Sequence, residues 1–453
     1  MVALIAGPCP PPRMAQGLGL PYLAAALEEA GYEAAIFDTY PPREDDRASD
    51  DPDMRLAEAV AASSPSLVGV TIHTPAYAER VHLAECLRQR LPGALLVAGG
   101  HHPTAAPGRL LRCSEFDVCV IGEGERTLVE IAEGVASGRS RRDTDWLTAI
   151  RGIACRAGGR VLRTPRRRPV ANVDSLPYPA HHLLGLERYG PHPALGLRSQ
   201  GLLTYRGCPA RCAFCCNPQG RRVRQRAPSR VGREVERVVR DFGVRGFNVY
   251  DNLFGLDRAH AVAVCDEIHG RRLDVVWDCW TAGDLVDAEL AGQLRGAGCV
   301  RVGFGAESGD DEVLARSRRG FTTAQHQAGI RALVAAGLEV QVFLMVGLPG
   351  ETRASVQRTL DFAARCGADD VSLSLHRPWP GTAAWRNPRA FGLRITRGPD
   401  FEAYVETQSL NRTALLEVTE EAVETLKQRG LKCGTLRCDR FVWEGFPKQP
   451  LGW

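Results

Sequence analysis

The chain has 453 residues, 44% hydrophobic and 24% charged, with a formal charge of +4 from 57 basic and 53 acidic side chains. Such a chain is an ordinary globular protein of two or three domains, and its charge balance excludes nucleic acid or a membrane surface as the main partner. Fifteen cysteines behind a start, MVALIAGPCP, that lacks the basic region of an export signal predict reduced thiols, a metal site and a cytoplasmic protein. No run approaches the roughly 20 apolar residues of a membrane span, and the basic runs Arg166-Arg167-Arg168 and Arg221-Arg222 read as solvated loop faces.

The chain opens on a short apolar run, Val2 to Gly7, then a helix with Leu20, Leu23 and Leu27 at helical spacing, Gly31 as its stop, and a strand ending at Asp38. LVGVTIHT (Leu67 to Thr74), ALLVAGG (Ala94 to Gly100) and FDVCVIGEGE (Phe116 to Glu125) are further strands, separated by helical segments. Strands without polar alternation, joined by helices, predict a parallel sheet covered on both faces. Residues 1–140 are therefore expected to form a doubly wound α/β domain whose ligand loops lie at the strand C-termini. Those loops are His73-Thr74-Pro75, Gly99 to Thr104 with His101 and His102, and Gly122-Glu123-Gly124.

Residues 141–196 turn rich in Pro, Arg and Gly and read as a connector on the surface. Strand and helix signals resume over 197–386, with strands LLTY, GFNVYD, DVVWDCW, VRVGFGAES, VQVFLMVG and DVSLSLHRP. Six strands in βα alternation predict a partial (β/α)6 barrel with its chemistry at the strand C-termini. The rest, 387–453, is expected to be a short helical extension over LLEVTEEAVETLKQRG with an aromatic end.

Directly after the first barrel strand stands RGCPARCAFCC, Arg206 to Cys216. Cys208, Cys212 and Cys215 have C-x3-C-x2-C spacing; taken with Cys216 as third member, it becomes C-x3-C-x3-C. Three thiolates on one loop can each bind one iron of a [4Fe–4S] cluster and leave the fourth iron open, which a four-thiolate electron-transfer cluster would not do. An open iron can chelate S-adenosylmethionine (SAM), whose reductive cleavage gives a 5'-deoxyadenosyl radical. A structural zinc site is the competing reading, and it calls for a fourth ligand from a second knuckle.

With these residues the chain resembles the radical SAM enzymes. RGCPARCAFC matches the family motif, and the aromatic Phe214 before the third cysteine selects Cys215 over Cys216 as cluster ligand. YDNLF (Tyr250 to Phe254), GFGAESG (Gly303 to Gly309), VGLPGET (Val346 to Thr352) and RPWPGT (Arg377 to Thr382) resemble the family's strand-end motifs in order. The resemblance implies cluster ligation by Cys208, Cys212 and Cys215. It implies SAM contacts from Phe214, Gly305, Glu307, Val346, Gly347, Leu348 and Pro349, and an external electron donor of flavodoxin or ferredoxin type.

The N-terminal third is similar to the cobalamin-binding domain of one radical SAM class, through GLGLPYLAAALEEAGYE, TPAY, AGGHHPT and GEGERTL. It lacks D-x-H-x-x-G, so no histidine is offered in the usual way to cobalt, but members of the class often lack it and still bind cobalamin, so the cofactor stays possible. Two departures separate the chain from methyltransferases of that class: a short tail, and TAGD (Thr281 to Asp284) where T-R-x-D is common. Length, tail and cysteine doublet are similar instead to the radical SAM dehydratases of aminoglycoside biosynthesis, which act with a separate NAD(P)H-dependent reductase. The expectation is therefore radical dehydration of a sugar-like small molecule, with cobalamin-dependent methyl transfer as the alternative. Departure of a hydroxyl needs a general acid within hydrogen-bond reach, and Asp251, Asn252 and His376 are the candidates at strand ends. Asp278 is expected to point out of the barrel, opposite Trp277 and Cys279.

Overall fold

The computed structural model describes residues 1–6, 17–38, 51–398 other than 142, 144, 158 and 193, then 401, 403–436 and 443–444. Gly7 and the aromatic end of the chain lie outside the described residues. No helix among the described residues is long and apolar enough to cross a membrane.

The first sheet has seven strands: β1 (Val2–Ile5), β2 (Ala34–Phe37), β3 (Leu67–Thr71), β4 (Leu95–Gly99), β5 (Val118–Val120), β6 (Ile153–Ala157) and β7 (Arg160–Arg163). Their order is β2-β1-β3-β4-β5-β6-β7, parallel through β5 and closed by an antiparallel β6–β7 hairpin. Helices α1 (Gly19–Glu29), α2 (Pro52–Ala62) and α3 (Tyr77–Arg90) cover it. Two separate apolar cores, one on each face, explain why these strands carry no polar alternation. The strand order reverses at β1 and β3, the switch point where such sheets hold ligands.

The second sheet begins with β8 (Ser199–Leu202), followed by the two-residue pair β9 (Tyr205–Arg206) and β10 (Arg224–Gln225), which brackets the cysteine loop. It continues through β11 (Gly246–Val249), β12 (Val276–Thr281), β13 (Cys299–Glu307), β14 (Glu339–Val346) and β15 (Asp370–Leu375). A hairpin of β16 (Arg394–Arg397) and β17 (Ala403–Glu406) precedes the helix Arg412–Gln428. The chain then returns as β18 (Lys432–Leu436), parallel to β15, with β19 (Trp443–Glu444) at its edge. The observed order β19-β18-β15-β14-β13-β12-β11-β8 is an open barrel with one parallel strand more than the six expected. The tail is thus a further helix-and-strand unit, and not only helical.

Phe247, Trp277, Phe304, Val342 and Leu373 face outward into the core under the helices, and each such side chain contributes about 1.5–3 kcal/mol of hydrophobic stabilisation. Their neighbours face the barrel interior. Asp278 is among them, donated to by Asn248 Nδ2 at 2.8 Å and 3.9 Å from His192 Nε2, so the outward orientation expected for it is reversed. Trp277 and Cys279, each 1% exposed, take the outer positions. His192 comes from the expected surface connector. That segment also buries Leu184 and Leu186 in the barrel core, so part of it is a barrel plug.

Candidate active site

The cysteine loop is built on a turn that only glycine permits. Gly207 has φ +95°, and a Cβ there would lie 2.1 Å from the Arg222 carbonyl oxygen. Across this contact Cys208 N–H donates to Gly220 O at 3.0 Å, and Asn217 Nδ2 donates to the Cys208 and Gly220 carbonyls at 3.0 and 2.7 Å. Ala213 is pinned by its N–H to Ser317 O at 2.9 Å and by its carbonyl, which accepts from Ala384 N–H at 3.0 Å. Cys208 and Cys212 are buried, while Cys215 is exposed and Phe214 and Cys216 half-buried.

Among the described residues, one group of three metal-binding atoms converges within 4.8 Å, that of Asp51, His82 and Cys86, and the loop thiols are not in it. A single ion requires such convergence, whereas a cuboidal cluster takes one thiolate per iron and spreads them. The donor set therefore fits a [4Fe–4S] cluster better than zinc. Cys216 lies on the first-domain side: a Cβ on Gly381 would be 3.5 Å from Cys216 Cβ and 3.0 Å from Ala105 Cβ.

Around the loop the strand ends place the SAM-side residues. Glu307 ends β13 with φ +69°, a conformation rare for a non-glycine residue, and burial raises its pKa against the pull of Arg319. Arg319 is 6% exposed and joins three features. It donates to Gly305 O at 2.5 Å, lies 3.9 Å from Cys212 Sγ, and has Nε 3.9 Å from Glu307 Oε1. After β14 the Glu351 carboxylate accepts the N–H groups of Gly347 and Leu348. His376 Nδ1 contacts Gly347 O at 3.0 Å. Val346, Leu348 and Pro349 are buried, so this turn offers backbone edges. Arg319 Nε, Glu351 Oε1 and His376 Nε2 are buried polar atoms that make no hydrogen bond within the described residues. Such atoms call for a polar ligand, which fits SAM.

The expected acid–base residues separate. Asp251 is 2% exposed, and its carboxylate accepts Thr204 N–H at 2.8 Å, Tyr205 N–H at 3.3 Å and the Thr204 hydroxyl. Burial lifts its pKa to about 6, but its oxygens are committed to the root of the cysteine loop. It is a positioning residue, and a role as general acid is corrected accordingly. Asn252 is exposed and donates to Gln219 Oε1 at 3.4 Å. His376 is buried and held neutral, its pKa pushed down to about 4 by desolvation.

Sequence reasoning missed the inner wall of the barrel. Tyr250 and Trp280 are 37% and 39% exposed there, and Trp280 stacks on Phe343 at 4.7 Å. Gly201 and Gly303 make room for them: a Cβ would stand 2.7 Å from the Tyr250 ring at the first and 2.8 Å from the Trp280 ring at the second. Below this slot lies a polar floor of Asn248, Asp278, Arg301, Gln341 and Asp370. The period-2 alternation of β11 to β14 is the signal that could have found it. Ala282, the departure in TAGD, is fully buried against Cys208 and Leu253, where an arginine has no room.

The first-domain loops meet the barrel at the cysteine loop. Arg206 Nη1 lies 2.6 Å from Glu125 Oε1 and 3.5 Å from Glu123 Oε1, and its guanidinium stacks on Tyr22 at 4.8 Å. Arg224 holds Glu123 at 2.7 Å and the Val170 carbonyl at 2.8 Å. His102 is fully buried between Tyr77 and Phe401 and contacts Thr74 Oγ1 at 3.2 Å, which makes it structural. His73 and His101 stand at the ligand face, their rings 4.9 Å apart. Gly99 and Gly122 have open space where a Cβ would stand. Open loops at the strand C-termini fit a large planar cofactor such as cobalamin.

A family model described as the radical SAM superfamily matches residues 202–363, and one described as a B12 binding domain matches 14–132. An uncharacterized methyltransferase of Pyrococcus horikoshii is 29% identical over 382 residues, 84% of this chain and 80% of the relative. The anaerobic magnesium-protoporphyrin IX monomethyl ester cyclase of Rubrivivax gelatinosus is 29% identical over 383 residues, 83% of this chain and 66% of the relative. In fold, the chain is similar to the radical SAM methyltransferase TsrM of Kitasatospora setae with cobalamin and a [4Fe–4S] cluster bound. The TM-score is 0.75 at 22% identity, over 94% of this chain and 88% of that one. The radical SAM match implies a [4Fe–4S] cluster and SAM for residues 202–363, and the B12-binding match implies cobalamin for the first domain. The expected likeness to aminoglycoside dehydratases finds no support in these relatives, and the reading of dehydration gives way to the alternative.

Proposed function

We propose that this cobalamin-dependent radical SAM enzyme transfers a methyl group to carbon on a small molecule. The observation that carries the reading is that loops of both halves meet at the cysteine loop. Glu123 and Glu125 after β5 lock onto Arg206, two residues before Cys208, and Ala105 beyond β4 abuts Gly381 and Cys216. A similar chain of matching extent is named a methyltransferase. When bound, the cofactors supply a hydrogen-abstracting radical and a transferable methyl group. Tyr250, Trp280 and Phe343 bind the substrate's apolar face, and the Asn248–Asp278 pair receives its polar end. The first domain closes the mouth and excludes water, and a small-molecule reductant or flavodoxin-type donor provides the electron.

The test is anaerobic reconstitution with iron, sulfide and hydroxocobalamin, then turnover with SAM carrying a labelled methyl group. One cluster with stoichiometric cobalt, and product gaining the label, is the expected result. A full cluster without retained cobalt overturns the reading. Ring closure is the second reading, favoured by the likeness to a cyclase, and it gives 5'-deoxyadenosine without label in the product.

A further inference from the structure

Where the start of α2 packs beside α3, the ligand atoms of Asp51, His82 and Cys86 come together. Asp51 caps α2: its Oδ1 accepts the N–H groups of Asp53 and Met54, both at 3.1 Å, and its Oδ2 faces His82. His82 and Cys86 stand four residues apart on one face of α3. His82 Nε2 is 3.1 Å from Asp51 Oδ2 and 3.7 Å from Cys86 Sγ, and the three ligand atoms all lie within 4.8 Å of one another.

Tetrahedral zinc, at about 2.0–2.2 Å from N and O and about 2.3 Å from S, spaces its N and O ligands about 3.3 Å apart and N and S about 3.6 Å. The two edges at His82, 3.1 Å to Asp51 Oδ2 and 3.7 Å to Cys86 Sγ, are near these lengths, and the Asp51–Cys86 edge is within 4.8 Å. His82 Nδ1 lies 3.7 Å from Glu85 Oε2, the outer carboxylate that metal-bound histidines commonly have. A divalent cation would accept from all three atoms at once. Cys86 is 1% exposed and His82 half-exposed, so the site has a buried sulfur side and an open side for a water as fourth ligand.

We propose that Asp51, His82 and Cys86 form a zinc site that ties the start of α2 to α3. Binding replaces the Cys86 thiol proton with Zn²⁺ and releases that proton to solvent, with no change of oxidation state. The site is independent of the proposed methyl transfer and stays intact if that reading fails.

The test is zinc stoichiometry on the reconstituted holoenzyme, whose cluster occupies the loop thiols. After equilibrium dialysis against zinc and a weak competing chelator, the wild type is expected to hold one zinc per chain. His82→Ala and Cys86→Ser are expected to lose at least nine-tenths of it while keeping the same iron and sulfide content. Because His82 is half-exposed, His82→Ala keeps the fold, and its cluster content verifies this. Wild type without zinc, or His82→Ala with an undiminished equivalent, overturns the proposal and leaves a protonated His82 between two carboxylates. Zinc addition is also expected to raise the thermal midpoint of the wild type and leave that of His82→Ala unmoved.

Discussion

Replacing Arg206 with methionine keeps most of the side-chain volume and removes the charge that joins the two halves of the molecule. Arg206 and Glu125 are 7% and 6% exposed, and their charged atoms are 2.6 Å apart. At an effective dielectric constant near 20, such a pair has a gross attraction of about 6 kcal/mol, set against a comparable cost of desolvation. The pair as a whole is therefore close to neutral, and the penalty appears when one member is removed. Arg224, the neighbouring cation, is already engaged by Glu123 at 2.7 Å, so it does not compensate Glu125 once Arg206 is gone. Arg206→Met should cost about 3–5 kcal/mol, and the double variant Arg206→Met, Glu125→Gln should recover about 2 kcal/mol or more. Urea unfolding of the four proteins without cofactors, followed by tryptophan fluorescence, gives the coupling energy. A single-variant loss below about 1 kcal/mol, or strictly additive losses, would refute the picture of a buried interdomain lock.

Alanine at Cys208, Cys212 or Cys215 is expected to abolish the absorbance and iron content of the cluster, whereas Cys216→Ala should keep both; the reverse for Cys215 and Cys216 would reassign the third ligand. Burial raises the Glu351 pKa from 4.5 to about 8. The native chain thus holds a proton that the unfolded chain releases, so the associated stability is present below about pH 4.5 and is lost as the pH rises through about 8. The limit, from about 1.4 kcal/mol per unit, is on the order of 5 kcal/mol. The urea midpoint should fall from pH 5.5 to 8.5, and Glu351→Gln should flatten that fall; parallel profiles would sink the assignment. Arg319→Met removes a positive charge beside Cys212 and should make the cluster harder to reduce, by roughly 50–100 mV. A redox titration followed by electron paramagnetic resonance checks this, and an unchanged potential would show that the guanidinium is screened from the cluster.

What the sequence made legible is what depends on local pattern. The apolar runs at Val2, Leu67 and Leu95 became parallel strands because both faces of that sheet are buried. RGCPARCAFC could be recognised because Gly207 and the cysteine spacing are fixed by one tight loop. Properties that depend on distant partners were not legible. Asp251 looked like a free acid at a strand end, and only the fold shows that Thr204 and Tyr205 occupy it. Asp278 was assigned outward because its flanking residues, Trp277 and Cys279, are apolar; in an open barrel the apolar side is the outer one, under the helices. His192 was read as part of a surface loop, and its contact at 3.2 Å with Asn248 spans 56 residues. The strand β18 was missed for the same reason, since its parallel partner is the distant β15.

The shape of the slot follows from where side chains are absent as much as from where they are present. Along the inner face Tyr250 stands over Gly201 and Trp280 over Gly303, and Gly305 leaves space used by Arg319 and Glu307. Each glycine lets an aromatic ring or a charged group lie flat against the wall, so the ring faces remain open to the cavity. Flat apolar walls above the Asn248–Asp278 floor select a ligand by outline and by one polar end. The same glycines bring Arg319 to both the Gly305 carbonyl and Cys212. Slot and cluster loop therefore share β13 as a common rim, and a substrate seated against Trp280, as proposed, would lie one strand from Gly305 and Glu307. That adjacency is what a radical reaction needs, because the hydrogen to be removed must be held still beside the group that removes it.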